Sequence, residues 1–476
     1  MRRDSPLRNN IFLFGSESTA RALALVLVVV AVRWLGPEEY GRYAWAVAFA
    51  ELLKLFVDLG THQLLVREVA ARPARLLGQL RATLKLKAVV ALVVLALVFL
   101  IGWAAGYRAD MRPIVGLALV AMVLNSYAEL WQAVFRGLER MSLAAAARFV
   151  HAVFRVGVGV VVVVAGGGVR GLITVYLLSA LVHFVLSWAL SRGPLRQEMV
   201  WAEPPRLSAL LREAAPLSLV VVFVTLYSSL GRLLVGFMRS DVEVGWYDAA
   251  FKLVGNLGVV ASVVSQVALP VMSRSWGKAP AAFGEVVEKS FKFLVSFALP
   301  LGVGGSLLGT PLVLFFYGRE CEPAGGALAI LAWVVSAIFM SSVFYHLLIA
   351  TRRQRLLAYL TGVGALANLV LNLVAIPLWG FMGAAVSALI TEVGILVGVA
   401  AASAPSIKLG RLARLLPRPL AGCLFVAGVC LLLGPVHPLA AVLISVPVYV
   451  GFLLISGYVE KDEIAAVRRL TRGARV

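Results

Sequence analysis

Apolar stretches of about 20 residues recur along the chain, each ended by a short basic cluster, and that length lets a helix rising about 1.5 Å per residue cross a hydrocarbon layer roughly 30 Å thick. Fourteen such windows centre near residues 23, 52, 95, 124, 155, 181, 225, 257, 302, 338, 366, 392, 426 and 448. Hydrophobic residues make up 61% of the chain and charged residues 14%, against about 25% charged in a soluble domain. These figures exclude a water-soluble enzyme and predict an all-α polytopic membrane protein with 14 transmembrane helices. Met1-Arg2-Arg3 precedes an apolar run with no small-x-small cleavage site, which predicts an uncleaved first span.

The 44 Lys and Arg outnumber the 24 Asp and Glu, a formal net charge of +20. Numbering the loops in order, one alternate set holds Arg33, Arg42, Arg108, Arg112, Arg170, Arg239 and Arg319, and five bases fall within spans. The remainder, Lys87, Arg136 and Arg148 among them, fall in the other set. The positive-inside rule then makes both termini cytoplasmic, in a plasma-membrane protein. The surplus positive charge is read as topology and attraction to anionic membrane lipids, with no nucleic-acid partner. No outside loop exceeds about a dozen residues by the same window count, which leaves no extracytoplasmic catalytic domain. Cys321, Cys423 and Cys430 form no CxxC pair and are expected in the core, with no metal site.

The chain also repeats itself. Glu39-Tyr40-Gly41-Arg42-Tyr43-Ala44-Trp45-Ala46 recurs as Glu243-Val244-Gly245-Trp246-Tyr247-Asp248-Ala249-Ala250, an offset of 204, and Gly168-x-x-Gly171 recurs as Gly380-x-x-Gly383, an offset of 212. A weaker match sets Val134–Arg140 against Leu348–Gln354. Both copies begin with a helix of the same direction, so the repeat is parallel. It predicts two six-helix lobes, 1–195 and 196–405, facing each other across a cleft, with two appended C-terminal helices and a basic tail in 406–476.

These residues carry a family likeness. Arg33-Trp34-Leu35-Gly36-Pro37-Glu38-Glu39-Tyr40-Gly41-Arg42-Tyr43, with Asp58-Leu59-Gly60 and Val66-Arg67-Glu68, resembles the opening of the polysaccharide-biosynthesis (Wzx-type O-antigen) flippases of the multidrug/oligosaccharidyl-lipid/polysaccharide (MOP) superfamily. Gly245–Leu253, Asn368-Leu369-Val370-Leu371-Asn372-Leu373, Pro377, Gly380, Gly383 and Ala384 are similar to that family's later segments. The resemblance implies a V-shaped transporter, not an enzyme, that flips a polyprenyl-diphosphate-linked oligosaccharide to the outer leaflet by alternating access, alongside glycan-assembly enzymes. The two extra helices also occur in the superfamily's peptidoglycan-precursor flippases, which keeps that cargo open. A cation-coupled multidrug exporter would predict fewer buried bases, and a membrane glycan polymerase or ligase would need a long outside loop.

The five bases within spans are Arg21, Lys54, Arg155, Arg232 and Lys252. Facing lipid near the midplane they would cost on the order of 15 kcal/mol together, so they face the interior. Arg21, Arg155, Arg232 and Lys252 are the expected diphosphate contacts, because fixed cations must replace the water an anionic headgroup leaves. Glu17, Lys54, Asp58, Asp248 and Asn256 are the expected polar lining. Pairing within a helix at a spacing of four, Glu17 with Arg21, Lys54 with Asp58 and Asp248 with Lys252, is the competing role. Arg148, His151 and Arg155 share one helical face. No cofactor is expected beyond a coupling Na+ or H+; Asn368, Asn372, Thr391 and Glu392 could ligate such a cation, although asparagines also serve helix packing. His183 and His346 are read as packing residues. The run Gly302, Gly304, Gly305 and the helix prolines are expected to permit bending.

Overall fold

The computed structural model describes residues 6–58, 60–71, 76–104, 109–197, 207–434 and 436–459, and among these every regular element is a helix. In order they are α1 (Pro6–Asp58), α2 (Thr61–Ala71), α3 (Leu76–Ala104), α4 (Arg112–Gly137), α5 (Met141–Val164), α6 (Gly168–Gln197), α7 (Leu207–Met238) and α8 (Asp241–Gly255). They continue with α9 (Val259–Ser275), α10 (Pro280–Tyr317), α11 (Ala324–Ala350), α12 (Gln354–Trp379), α13 (Phe381–Ser403), α14 (Leu409–Ala413), α15 (Pro417–Leu433) and α16 (Pro438–Ile455). Among the described residues 13 helical stretches are long and apolar enough to span a membrane. The expected first and second spans both fall in α1, a 53-residue run broken at Gly36, where φ is 74° and ψ 170°. A positive φ there suits glycine, and Pro37 follows with no N–H to donate.

Packing divides the chain otherwise than the repeat does. One compact unit comprises residues 1–256 and 358–388, the other 257–357 and 389–476. The first therefore holds α1 to α8 with most of α12, across the lobe boundary expected at 195; the second holds α9 to α11, most of α13, and α14 to α16. Short α2, unforeseen in the sequence, buries Leu65 and Val69 against Leu76, Leu80 and Leu130.

The matched passages prove to be one another's partners within the first unit. A Cβ added at Gly41 would overlap the carbonyl oxygen of Asp241, and one at Gly245 would overlap that of Pro37. Gly41 and Gly245, like Pro37 and Asp241, stand 204 residues apart, so α1 and α8 cross by a reciprocal contact of the kind a twofold axis produces. Each repeat then caps a later helix. Glu39 Oε2 accepts from the Val169 N–H at 3.1 Å at the start of α6, and Glu243 Oε2 accepts from the Phe381 N–H at 2.8 Å at the start of α13. The preceding glycines, Gly168 and Gly380, have φ of 59° and 58°. A carboxylate at a helix N-terminus satisfies a donor that has no partner within the helix.

The third match holds with its register moved by one. Glu139 and Arg352 both take φ of 57°, and Arg140 N–H donates to Phe135 O as Arg353 N–H does to Leu348 O, each at 2.8 Å. The offset is thus 213, where residue-for-residue pairing expected 214. Gly302 and Gly305, expected to loosen the ninth span, instead let α10 approach α11: Cβ atoms there would overlap Trp333 and Ala332, inside an unbroken helix.

Replacing Gly41 or Gly245 by Leu is expected to cost about 3 kcal/mol by forcing α1 and α8 apart. Gly304→Ala, where an added Cβ meets nothing within 4 Å, should stabilise by up to about 1 kcal/mol. Thermal unfolding in detergent separates the two effects.

Candidate functional site

A cavity of about 520 Å³ lies among α1, α4, α5 and α6 of the first unit, its lining completed by His62 of α2 and Asn256 after α8. The charge in its wall is lopsided. Arg21, Lys54, Arg136, Arg148 and Arg155 stand against two carboxylates, Glu51 and Glu129. The α4 groups Asn125, Glu129, Gln132 and Arg136 follow at spacings of four, three and four, which puts them on one face.

Arg155 is held by aromatic groups. Its Nη2 donates to Tyr43 Oη at 2.9 Å, and its guanidinium lies 5.0 Å from the Tyr176 ring centroid, within cation–π range. Its Nε is buried with no hydrogen-bond partner, and among the described residues Arg155 forms no ion pair. A guanidinium so placed keeps an unused donor.

Arg148 begins a directed chain. Its Nε donates to Gln132 Oε1 at 2.6 Å; Gln132 Nε2 meets His183 Nε2 at 2.6 Å; His183 Nδ1 meets Asn125 Oδ1 at 3.1 Å. Because Arg148 can only donate, the Gln132 oxygen faces it and the amide nitrogen donates to His183 Nε2. That leaves the His183 proton on Nδ1, donating to Asn125. His151 stacks on His183, centroids 4.5 Å apart. His183, read as packing from the sequence, belongs to the cavity wall; His346 packs, with Nδ1 2.7 Å from Ser342 O.

Of the four bases expected at a diphosphate, the structure brings Arg21 and Arg155 together in this cavity and puts two elsewhere. Arg232, 6% exposed, pairs with Asp248 at 3.0 Å and Glu51 at 3.8 Å, and Asp248 also accepts from Tyr40 Oη at 2.6 Å. Two carboxylates thus take the charge that was expected to serve a ligand. Lys252 lies one turn beyond Asp248 and outside the cavity lining. Lys54 and Asn256 do line it; Asp248 serves Arg232, and the Glu17 side chain lies outside the described residues.

The partners expected within one helix are mostly on other helices. Lys54 pairs with Glu129 of α4 as well as with Asp58, 4.0 Å away on its own helix. Asp58 also receives Lys87, closer at 2.7 Å, and the Lys87 ammonium donates to Ser126 O and Oγ at 2.9 and 2.8 Å. Lys87 is therefore buried within α3 with its three protons bound, where a cytoplasmic loop was expected, and Arg136 and Arg148 likewise sit on cavity-lining helices. His62, outside the spanning helices, is pushed down to about 4 by burial and by the Arg136 guanidinium it meets.

Among the expected cation ligands, Asn372 Nδ2 donates to the backbone oxygen of Asn368 at 2.8 Å and to its Oδ1 at 2.9 Å, and Asn372 Oδ1 is buried without a partner. Both belong to the first unit, whereas Thr391 and Glu392 are buried in the second. The three cysteines are buried free thiols.

A family model described as polysaccharide biosynthesis protein matches residues 7–276, and one described as MatE matches 216–374. An uncharacterized membrane protein of Methanocaldococcus jannaschii is 25% identical over 158 residues; the match covers 33% of this chain and spans only 31% of that relative's length. Among solved structures, the lipid II flippase MurJ in an inward closed conformation is similar with a TM-score of 0.77 at 14% identity, covering 94% of this chain and 99% of that one. An inward-facing multidrug resistance MATE family transporter of the MOP superfamily has a TM-score of 0.63 at 14% identity, covering 85% and 98%. A MOP superfamily transporter from Pyrococcus furiosus, described by a reverse polarity of its binding pocket, has a TM-score of 0.59 at 14% identity, covering 85% and 96%. At this identity the likeness is one of fold.

Arg232→Met removes the ion-pair partner of buried Asp248 and is expected to cost about 3–5 kcal/mol, whereas Arg155→Met, which breaks no ion pair, should cost about 1–2 kcal/mol. Tryptophan fluorescence during thermal unfolding measures both. The lowered His62 value means that the folded state prefers the neutral ring. Its contribution is complete above the ordinary histidine value of about 6.5 and is lost as pH falls toward 4, so His62→Gln should flatten that limb of a stability–pH curve.

Proposed function

The chain belongs to the polysaccharide biosynthesis protein family, within the MOP superfamily of multi-pass membrane flippases and transporters, and from that premise we propose that it turns a polyprenyl-diphosphate-linked oligosaccharide from the cytoplasmic to the outer leaflet for cell-surface glycan assembly. The observation that carries this reading is the surplus of fixed cations in the first unit's cavity, with Arg155 holding unused donors where no carboxylate pairs it. A diphosphate diester brings two negative charges that must leave water, and guanidinium groups replace that hydration with directed hydrogen bonds. Arg21 and Arg155 are the proposed contacts, with Lys54 and Arg148 adding field. About 520 Å³ lies within the roughly 300–1,000 Å³ of small-molecule sites, which suits a headgroup and its first sugars. The amides of Asn125 and Asn256 suit sugar hydroxyls. The apolar tail would stay in lipid while the headgroup crosses, with both termini cytoplasmic.

Peptidoglycan precursor is the second reading, favoured by the TM-score of 0.77 to the lipid II flippase and by α15 and α16 beyond the twelve repeated spans. It shares the diphosphate and the polyprenyl tail, so the cavity suits either cargo. Proteoliposomes loaded with a panel of polyprenyl-diphosphate glycans, lipid II included, distinguish them through exposure of each sugar to an impermeant reagent. Arg155→Ala is expected to slow flipping about tenfold or more, on the scale of one lost charge-assisted hydrogen bond. Flipping at the wild-type rate in both Arg21→Ala and Arg155→Ala would overturn the assignment.

A further inference from the structure

His151 of α5 and His183 of α6 lie stacked in the cavity wall with their planes within 10°, and the diphosphate contacts proposed above use neither. Histidine is the side chain whose ordinary charge change falls between pH 5 and 8. Two stacked imidazolium rings would repel, so the pair holds one proton at most. His151 Nε2 is buried with no hydrogen-bond partner, while both His183 nitrogens are engaged.

The hydrogen-bond order ties the charge of His183 to Arg148. A protonated His183 donates from both nitrogens, and its Nε2 then opposes the Gln132 amide nitrogen, donor to donor. Turning the Gln132 amide restores that bond by presenting its oxygen to His183. The same turn presents the amide nitrogen to Arg148 Nε, which has no lone pair to accept it, so Arg148 is released from Gln132. Charged groups share the cavity lining with the pair: Arg148 and Arg155 from α5, Glu129 and Arg136 from α4, and Arg21, Glu51 and Lys54 from α1. Tyr176 of α6 and His62 of α2 complete the titratable lining. Cations prevail in this set and favour neutral rings while the cavity lacks an anion. A dianion offsets two of the three surplus positive charges in that set and so lowers the cost of adding one proton to the pair.

We propose that the stacked His151–His183 pair is a proton-binding site linked to the anion site: a bound diphosphate draws one proton from solvent onto the pair, and that proton frees Arg148 from Gln132 to face the ligand. The inference rests on the reading of the cavity as a diphosphate site. By linkage the proton tightens anion binding by the factor that the anion tightens proton binding.

The test uses the full chain in detergent and dimethyl diphosphate, a diester whose two charges do not titrate near neutral pH. Calorimetry in two buffers of different ionisation enthalpy counts protons taken up per probe bound. Uptake is expected at pH 6 and should vanish by pH 8, with binding about tenfold tighter at the lower pH; His183→Gln and His151→Gln should each flatten that dependence. Binding without proton uptake and equal at both pH values overturns the linkage and leaves the anion site standing. No binding at either pH overturns the diphosphate reading and the linkage with it. A pH dependence that survives in both variants overturns the assignment to this pair. If a variant fails to fold, the wild-type proton count decides by itself.

Discussion

A charge held within a bilayer must find its opposite on a neighbouring helix or a watery place to stand, and the first unit is organised by that demand. Arg232 is held by Asp248, which Tyr40 also supports, and Lys87 by Asp58 and Ser126. Each pair ties one helix to another, and removing one partner leaves the other stranded in a medium that solvates it poorly. Arg155 is the contrast, packed against Tyr43 and Tyr176 and joined by no acid among the described residues. That difference separates bases that hold helices together through ion pairs from one held by aromatic groups.

The repeat sets where the cavity groups stand. Glu39 fixes the first turn of α6 through the Val169 amide, and Tyr176 and His183 follow two and four turns along the same helix. The capping carboxylate thereby sets the rotation of a helix that presents an aromatic platform to Arg155 and an imidazole to Gln132. Recurrent residues in the sequence need not line the cavity to matter for it; here they set the angle of residues that do.

Spans, repeat and family were legible because lipid imposes a length and duplication leaves paired words. Register was less so, as the slip between Glu139 and Arg352 shows, since apolar helix ends carry little to mark a single residue. The charges were legible as buried but not as partnered. Spacing of four suggested Asp248 with Lys252, whereas the carboxylate meets Arg232 from α7 and Tyr40 from α1, contacts that only tertiary packing decides. Lys87 read as a loop residue because its apolar window begins at the next position. Asn125, Glu129, Gln132 and Arg136 carried a readable signal in their spacing, while the stacking of His151 on His183 joins two helices and has no sequence counterpart.

The reciprocal approach of Gly41 to Asp241 and Gly245 to Pro37 is the kind of interface two identical half-length chains would share as a symmetric pair. Within one polypeptide the encounter is intramolecular, so the seam closes however dilute the protein is in its membrane. Joining also ends the obligation of sameness. Each side can now vary on its own wherever it lies off the shared axis, as Arg42 does against Trp246 at the matching position.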